Sequence, residues 1–375
     1  MHICHCFKSF SLSVGGVEQD IRYLSQEYIK AGHRVSVVTA RKPGSSQREV
    51  VHGIEEIRTS PLFTIFKVPI MPNYYHCLSV LNADIIHAHG TVPGISDISV
   101  IYASNKKKAS VLNYRFDGNA DSLIGSLFAG IYNHLINPFI ASKAGRIVAT
   151  SRSYAQSSPV LKHYLDRIEA IPNGVDLQRF NPGIEEGDVK IKYGLPENRI
   201  MLFAGRFVKY KGLEYLIRAM KFVENGTLIV AGSGPLENHL KQIVHEHNIT
   251  NVKFIGLIPH EELPRLYKIS DIYVLPSITR GENFGNSALE AMACGTPVIA
   301  SNLPGVRELV TDESGIKVEP KDISSLASSI NKLLDDSNMR KQMGIAARKN
   351  AEKYSWVDVA QRFLKIYEDL LKTKS

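Results

Sequence analysis

The sequence of 375 residues contains only four cysteines, one tryptophan and no long apolar run. Four cysteines are too few for a disulfide framework in a chain of this length. No apolar run reaches the roughly 18 residues of a membrane-spanning helix, and the first ten residues lack the pattern of a signal peptide. We therefore expect a protein of the cytoplasm.

Two of the cysteines flank a histidine in the run Cys4-His5-Cys6, which raises the question of a metal site. Alternate residues of a strand point to opposite faces, so Cys4 and Cys6 would share one face and His5 would lie on the other. No second ligand pair stands elsewhere at zinc-site spacing. We interpret the run as a buried first strand and assign no metal ligand.

Neither hydrophobic residues (44%) nor charged residues (22%) depart from the composition of a soluble globular protein. The length allows two domains that each bury a core. The net charge is +8, and residues up to Asp176 carry a surplus of five positive charges. This charge suits an anionic substrate or an acidic membrane surface. No nucleic-acid-binding module is recognisable, so we expect no nucleic-acid partner.

Apolar segments of strand and helix character alternate in two successive halves, which predicts an α/β fold with parallel sheets covered on both faces. Residues 172–197 are rich in Pro, Gly, Asn and Asp and predict a linker. We place the first domain at residues 1–176 and the second at 177–356. The last helix, about 357–375, is expected to pack back onto the first domain.

The loop after the predicted strand 201–204 has the composition of a phosphate site. Ligands of open α/β sheets bind beyond the carboxyl ends of strands. Gly205 permits close backbone approach, while Arg206 and Lys211 bring two cations to a loop that opens a helix. These features suit a diphosphate, and a basic surface loop is the alternative. The loop is not a Walker loop, because the required glycine and lysine pattern is missing.

A second loop, Gly232-Ser233-Gly234, is similar to the start of a dinucleotide fingerprint. Glu237 stands where the third glycine of that fingerprint belongs, and a partial match is weak evidence for NAD. We therefore favour a tight turn beside the ligand.

A third loop carries Glu282 and leads into a helix that carries Glu290. Between them, the region of Asn283, Phe284 and Gly285 offers backbone N–H groups at the helix start. A carboxylate can accept hydrogen bonds from vicinal hydroxyls, so one glutamate could hold a sugar and the other a ribose. The alternative is that Glu282 and Glu290 are solvated surface charges without a ligand.

Together these motifs resemble those of retaining GT-B glycosyltransferases, specifically glycosyltransferase family 4 (glycosyl transferases group 1). The resemblance covers nearly the whole chain and rests on five blocks: Gly15 to Glu18, Asp84 to Gly90, Ile171 to Asp176 with Phe180, Gly205 to Gly212, and Glu282 to Val298. It implies a GT-B fold with two Rossmann-like domains facing across a cleft. It also implies a retaining hexosyltransferase that uses a nucleotide-diphosphate sugar.

The resemblance assigns roles to individual residues. Arg206 and Lys211 would bind the donor diphosphate, Glu290 the ribose, and Glu282 the transferred sugar. Arg206, Lys211 and Glu282 would form the catalytic set. The donor site would be completed by Gly16, Gly205, Asn283, Phe284 and Gly285. The family needs no metal or other cofactor, in agreement with the missing Asp-x-Asp motif, since two cations can neutralise the leaving group.

On the acceptor side the sequence departs from the family. Many members carry a histidine where Arg115 or Phe116 stands here, followed by Asp117. The role of that histidine would pass to Arg115, to Asp117 or to His89, and Asn173 completes the acceptor-side set. The alternative interpretation is that His89 lies in a loop and that backbone groups satisfy the hydrogen-bonding capacity of its ring.

Two other classes of protein stay open. One is a nucleotide-sugar epimerase of the same architecture, and the other is a binding protein that keeps the donor pocket but has lost catalysis. Release of nucleotide without sugar transfer would favour the first, and donor binding without turnover would favour the second.

The acceptor is expected to be a glycan or a lipid-linked sugar, and the enzyme would then meet the inner face of a membrane. Lys106-Lys107-Lys108, Arg41-Lys42 and the apolar residues 123–140 combine basic and apolar groups, as peripheral attachment to an anionic membrane requires. The alternative is that residues 123–140 form a helix packed in the core and that the lysines belong to a solvated loop.

Overall fold

The chain divides into two compact units in a computed structural model that describes residues 1–10, 15–65, 68–117, 127 and 130–373. Unit 1 comprises Met1–Asn173 and Trp356–Ser375, and unit 2 comprises Gly174–Ser355. These boundaries differ by three residues and by one residue from the expected positions at 176 and 356.

Unit 1 is built on an eight-stranded sheet in which only the β3–β4 pair is antiparallel. Its strands are β1 (His2–Cys6), β2 (Arg34–Ala40), β3 (Arg48–Val51), β4 (Ile54–Thr59), β7 (Ile85–His89), β8 (Ala109–Asn113), β9 (Arg146–Ala149) and β10 (Ile168–Ala170). The strand order is β10-β9-β8-β7-β1-β2-β4-β3. A separate antiparallel ribbon is formed by β5 (Phe63–Ile65) and β6 (Val68–Ile70).

Helices connect the parallel strands of unit 1. They are α1 (Gly16–Lys30), α2 (Tyr74–Leu81), α3 (Ser96–Asn105), α4 (Asn137–Lys143), which follows a π-helical turn at Tyr132–Ile136, and α5 (Arg152–Ser157). The first helix ends shortly before Gly32, which adopts a φ of +81°. Its N–H donates to the carbonyl of Ile29, which satisfies a group that the helix end would leave unpaired.

Unit 2 has a six-stranded, fully parallel sheet. Its strands are β11 (Ile200–Ala204), β12 (Thr227–Ala231), β13 (Val252–Gly256), β14 (Ile272–Leu275), β15 (Val298–Ser301) and β16 (Gly315–Val318). Its helices are α6 (Val189–Lys192), α7 (Leu213–Ala219), α8 (Glu237–Glu246), α9 (Leu263–Ile269), α10 (Asn286–Ala293), α11 (Val306–Leu309), α12 (Ile323–Asp335) and α13 (Ser337–Ala351).

Both sheets have the strand order of a Rossmann fold. In unit 2 the order β13-β12-β11-β14-β15-β16 corresponds to the 3-2-1-4-5-6 arrangement, and in unit 1 the parallel strands β4-β2-β1-β7-β8-β9 repeat it. The order reverses between β11 and β14 in unit 2 and between β1 and β7 in unit 1. The loops at the carboxyl ends of these four strands are therefore where a ligand is expected.

The last helix, α14 (Trp356–Lys372), belongs to unit 1. Its buried apolar face, which includes Phe363 and Leu370, joins the same core cluster as β1 and α1. The Tyr367 hydroxyl hydrogen-bonds to the Tyr28 hydroxyl of α1 at 3.1 Å and to His87 Nδ1 of β7 at 2.6 Å. The C-terminal end of the chain thus completes a core that the N-terminal end begins.

The predicted linker at residues 172–197 is wrong for most of its length. From Gly174 onward the segment is part of unit 2, where Val175, Phe180 and Val189 are buried in the core. Its turn-forming residues dominate its composition, but the apolar residues between them anchor it to the sheet.

The basic groups predicted to form one membrane surface lie at opposite edges of the unit 1 sheet. Lys107 and Lys108 directly precede β8 and lie at its amino end, whereas Arg41 and Lys42 follow the carboxyl end of β2. A five-residue strand separates these edges by about 16 Å. Arg41-Lys42 and the three lysines therefore cannot form one continuous patch.

The apolar segment 123–140 is described from residue 130 onward and at Leu127, and residues 123–126 and 128–129 lie outside the described part. Ile140 is buried, but Leu127, Ile131, Leu135 and Phe139 are exposed. The interpretation of this segment as a helix packed wholly in the core is therefore wrong for these four positions. Among the described residues, no helix is long and apolar enough to cross a membrane.

Candidate functional site

A buried ion pair joins the two loops at the switch point of unit 2. Lys211 lies in the loop after β11 and Glu282 in the loop after β14. Lys211 Nζ is 2.7 Å from Glu282 Oε2, and the side chains are 13% and 8% exposed. The Ser277 hydroxyl donates to the same carboxylate oxygen at 2.9 Å. The cation predicted for the diphosphate and the carboxylate predicted for the sugar are thus direct neighbours.

The environment of Lys211 keeps its amine charged. Burial by itself lowers the pKa of a lysine, but the Glu282 carboxylate more than offsets this effect. The pKa of Lys211 is therefore raised above its usual value. Arg206, by contrast, is exposed on the same loop. The loop thus offers one cation in a fixed position, Lys211, and two in solvent, Arg206 and Lys209.

Backbone contacts hold these loops in position. The N–H of Ile278 donates to the carbonyl of Tyr210 at 2.8 Å. Gly212 has a φ of +64°, and a Cβ atom there would overlap the carbonyl oxygen of Pro276. Glycine is therefore required at position 212 for the lysine loop to approach the glutamate loop.

The Gly232-Ser233-Gly234 segment leads into a turn at Gly234–Glu237, where the Glu237 N–H donates to the Gly234 carbonyl at 3.1 Å. A Cβ atom at Gly232 would overlap the carbonyl oxygen of Gly205, and one at Gly234 would lie 2.6 Å from the carbonyl oxygen of Phe207. The Phe207 N–H donates to the Ser233 carbonyl at 2.8 Å. The two glycines thus let this turn support the Gly205 loop from behind.

The predicted helix behind Glu282 is α10, which begins directly after Gly285. Glu290 lies in its second turn, half-buried, and accepts a hydrogen bond of 2.9 Å from the Tyr267 hydroxyl. Burial and the nearby Glu290 carboxylate raise the pKa of Tyr267, so the phenol remains a donor. Phe284 packs in the core at 5.7 Å from the ring of Tyr354. Only its backbone is therefore available for a ligand.

Sequence reasoning missed three residues that support this site. Ser277 and Tyr267 each hold one of the two glutamates, and neither belongs to a motif. Gly305 lies against Asn283, because a Cβ atom at position 305 would overlap the Asn283 carbonyl oxygen. The Pro304-Gly305 pair is a turn signal that follows β15, and it could have indicated this close approach.

In unit 1, Arg115 is buried and paired. Its Nη1 lies 2.8 Å from Asp20 Oδ2 of α1 and also donates to the side-chain oxygen of Asn173. Burial raises the pKa of Asp20 to about 6, although the Arg115 cation acts in the opposite direction. Asp20 was not among the predicted residues. Arg115 and Asn173, predicted on the acceptor side, are thus brought together with Asp20 as their unexpected partner.

Asp117 is held by two hydroxyl donors. Its Oδ1 accepts from Tyr114 at 2.7 Å and from Ser158 at 2.9 Å. The backbone carbonyl of Phe116, between Asp117 and Arg115, accepts from the Thr91 hydroxyl at 2.6 Å. The loop after β8 is therefore tied to the loop after β7.

The interpretation of His89 as a loop histidine is wrong. His89 is the last residue of β7, is fully buried and hydrogen-bonds through Nε2 to His5 Nδ1 at 2.8 Å. His5 and His87 are register partners on β1 and β7, so all three histidines share one face of the sheet. His89 therefore offers no surface to an acceptor in this structure.

His87 and His89 are a second pair of possible metal ligands that was not recognised in the sequence, and the fold brings His5 to them. One nitrogen from each lies within 4.8 Å of the others, so the geometry could hold a metal ion. Burial lowers the pKa of all three, that of His5 to about 3. The group includes no carboxylate, and the Arg115 cation also lowers the pKa of His87 and His89. A divalent ion would thus leave uncompensated buried charge, so the cluster suits neutral hydrogen bonding better.

Comparisons with known proteins match both units. A family model described as Glycosyltransferase Family 4 matches residues 14–179, and one described as Glycosyl transferases group 1 matches residues 188–350. An uncharacterized glycosyltransferase of Methanocaldococcus jannaschii is 28% identical over 95% of this chain and 94% of its own length.

Two further comparisons extend this result. The phosphatidylinositol N-acetylglucosaminyltransferase GPI3 subunit of Saccharomyces cerevisiae is 26% identical over 98% of this chain and 82% of its own. The crystal structure of Anabaena HepE in complex with UDP and glucose superposes with a TM-score of 0.81 at 19% identity, covering 98% of this chain and all of that one. This likeness shows the GT-B fold. The chain belongs to glycosyltransferase family 4.

Proposed function

We propose that this glycosyltransferase moves a hexose from a nucleotide-diphosphate sugar to a lipid-linked or glycan acceptor, with retention of anomeric configuration and without a metal ion. The observation that carries the proposal is the buried Lys211–Glu282 pair at the switch point of unit 2. It sets a fixed cation beside a carboxylate, where a diphosphate and its sugar would meet. Arg206, exposed on the same loop, supplies a second cation.

The proposed reaction breaks the bond between the anomeric carbon and the diphosphate oxygen and forms one to the acceptor oxygen on the same face. Arg206 and Lys211 stabilise the charge that grows on the departing diphosphate. A diphosphate oxygen takes the proton of the acceptor hydroxyl. Glu282 positions the sugar, a role in keeping with a carboxylate that already accepts bonds from Lys211 and Ser277.

The remaining donor roles follow from the arrangement of α10. Glu290 binds the ribose hydroxyls while Tyr267 fixes one of its oxygens. The backbone N–H groups near Asn283, Phe284 and Gly285 contribute hydrogen bonds at the helix start. Gly205 borders the diphosphate at the carboxyl end of β11.

On the acceptor side we propose that the half-buried Asp117 faces the acceptor at the carboxyl edge of unit 1, and that the buried Arg115 and Asn173 hold the loop beside it. Asp20 orients Arg115, and His89 supports this edge from within the sheet. The yeast relative is named for a phosphatidylinositol acceptor. A lipid-linked acceptor is therefore the better choice, with the enzyme attached peripherally to the cytoplasmic face of a membrane.

Removing either cation should weaken binding of the nucleoside diphosphate. We expect Arg206→Ala to cost about 1.5–3 kcal/mol of binding, roughly ten- to hundredfold, with thermal stability unchanged because the side chain is exposed. Lys211→Ala should weaken binding and also destabilise the fold by about 3–5 kcal/mol, since Glu282 is left buried without its cation. Titration calorimetry and thermal unfolding measure both effects.

The control variant is Lys209→Ala, because Lys209 is exposed on the same loop. Unchanged nucleotide affinity in both the Arg206 and the Lys211 variant contradicts the diphosphate assignment.

Substitution of Glu282 and substitution of Glu290 should have different kinetic effects. Glu282→Gln should lower kcat more than nucleotide affinity, because its contact is to the transferred sugar. Glu290→Gln should weaken nucleotide binding as well, because its contact is to the ribose. Steady-state kinetics and nucleotide titration distinguish the two, with the exposed Glu246→Gln as a control. Wild-type kinetics in both Glu282 and Glu290 variants would show the paired-glutamate interpretation to be wrong.

The class and stereochemistry of the reaction can be read from the product. A thermal-shift screen against nucleotide sugars first identifies the donor, since a ligand that binds the folded state raises its stability. Proton NMR of the transfer product should then show the anomeric configuration of the donor, at an undiminished rate in excess chelator. Inverted product refutes retention, and loss of activity that manganese or magnesium restores refutes metal independence.

The same assay separates the two other classes of protein. Nucleotide release without transfer indicates an epimerase, and donor binding without turnover indicates a binding protein.

Peripheral attachment predicts binding that depends on lipid charge and salt. The protein should sediment with vesicles that contain phosphatidylinositol at low ionic strength and much less at high ionic strength, because salt screens exposed charges. Neutral phosphatidylcholine vesicles should bind it weakly. Equal failure to bind both vesicle types at low salt removes the membrane proposal and leaves a soluble acceptor.

A further inference from the structure

Among the described residues, three large apolar side chains are exposed on the β5–β6 ribbon and directly before it. Leu62, directly before β5, is 71% exposed, and Phe63 and Ile65 within it are 50% and 48% exposed. The Leu62 N–H donates to the carbonyl of Ile70 at 2.8 Å, so the exposed residues stand on a hydrogen-bonded scaffold. Exposed apolar side chains on a two-stranded ribbon favour aggregation unless a partner covers them. We therefore expect a partner to cover the ribbon.

The ribbon lies at the edge of the sheet that carries the acceptor-side residues. It follows β4, which ends at Thr59 on the carboxyl edge. The carbonyl oxygen of Pro69 in the ribbon approaches Gly94, where a Cβ atom would lie 3.6 Å away, in the loop after β7. That loop is tied through Thr91 to Phe116, the neighbour of Arg115. A chain of contacts thus connects the ribbon to the loop that carries the proposed acceptor residues.

Exposed cations stand along the same edge. Lys8 follows β1, and Arg41 and Lys42 follow β2. The Ala40 N–H donates to the carbonyl of Lys8 at 3.3 Å, and the Arg41 N–H donates to that of Thr59 at 2.9 Å. These bonds place the three cations beside the strand end from which the ribbon departs.

We propose that the ribbon inserts Leu62, Phe63 and Ile65 into the hydrocarbon layer of an anionic membrane while Lys8, Arg41 and Lys42 face its headgroups. The inference rests on the proposed lipid-linked acceptor. It turns the carboxyl edge of the unit 1 sheet toward the bilayer. The acceptor headgroup then lies beside the loop after β8 while its lipid chain stays in the membrane.

A second copy of this chain fits the ribbon less well. A symmetric dimer brings the same patch of both copies together. The three cations of one copy would then face the three of the other, and their repulsion would oppose the pairing. An anionic bilayer attracts the same cations and accepts the same apolar groups.

A tryptophan reporter tests the insertion directly. Phe63→Trp adds an indole to the ribbon, while the native Trp356 is 7% exposed and belongs to the core of unit 1. With vesicles of phosphatidylinositol and phosphatidylcholine at low salt, the added emission should shift to the blue and be quenched by lipids brominated on their acyl chains. Phe222→Trp, at a phenylalanine of unit 2 that is 58% exposed, is the matched control and should show neither change.

A double variant provides the second measurement. Leu62→Ser with Phe63→Ser should reduce vesicle binding by roughly tenfold or more, because two apolar groups no longer leave water. Thermal stability and nucleotide affinity should stay unchanged, since both side chains are exposed in unit 1.

The outcomes separate this inference from the proposed function. If the wild-type protein binds no vesicles, the membrane proposal and the ribbon proposal fail together. If it binds but Phe63→Trp is not quenched, or the double variant binds as the wild type does, only the ribbon proposal is overturned. A wild-type dimer in sedimentation velocity that the double variant dissociates would assign the ribbon to a second copy and overturn the proposal as well.

Discussion

The reversal of strand order beside the first strand of each sheet determines where both candidate sites form. In a parallel sheet, consecutive loops normally pass to the same side, but at the reversal two neighbouring loops diverge and leave a crevice at the carboxyl edge. In unit 2 the loops after β11 and β14 meet there and bring Lys211 to Glu282. In unit 1 the same position lies between β1 and β7, where His5 and His89 meet.

Both units place a buried ion pair near this edge, and the two pairs differ in character. Lys211 and Glu282 come from two ligand-facing loops, so their charges are set where a donor would bind. Arg115 and Asp20 join a loop to a helix and are nearly enclosed, with Asn173 as a further partner. A buried charge is costly without a partner. The partners therefore restrict each cation to one position, as a site that must hold an anion in a defined place requires.

Local pattern was sufficient to predict the strand before the lysine loop, because it is uniformly apolar. The predicted strand 201–204 corresponds to β11 at Ile200–Ala204. Local pattern was insufficient for β4, whose Glu55, Glu56 and Arg58 break the apolar pattern. The fold buries Arg58 and Glu56 as an ion pair at 2.6 Å. The role of Asp20 and the grouping of the three histidines were likewise unpredictable, because they depend on partners far away in the chain. Residue types mark the loops, whereas register and pairing decide which side chains meet.

The chain enters unit 2 after Asn173 and returns to unit 1 at Trp356, so unit 2 is an insertion within unit 1. This arrangement has a consequence for biosynthesis. Helix α14 supplies Phe363 and Tyr367 to the core around β1, which lies at the opposite end of the sequence. During synthesis from the N-terminus, unit 2 has its full sequence before unit 1 does. The first half of the nascent protein therefore keeps part of its core uncovered until α14 has emerged from the ribosome.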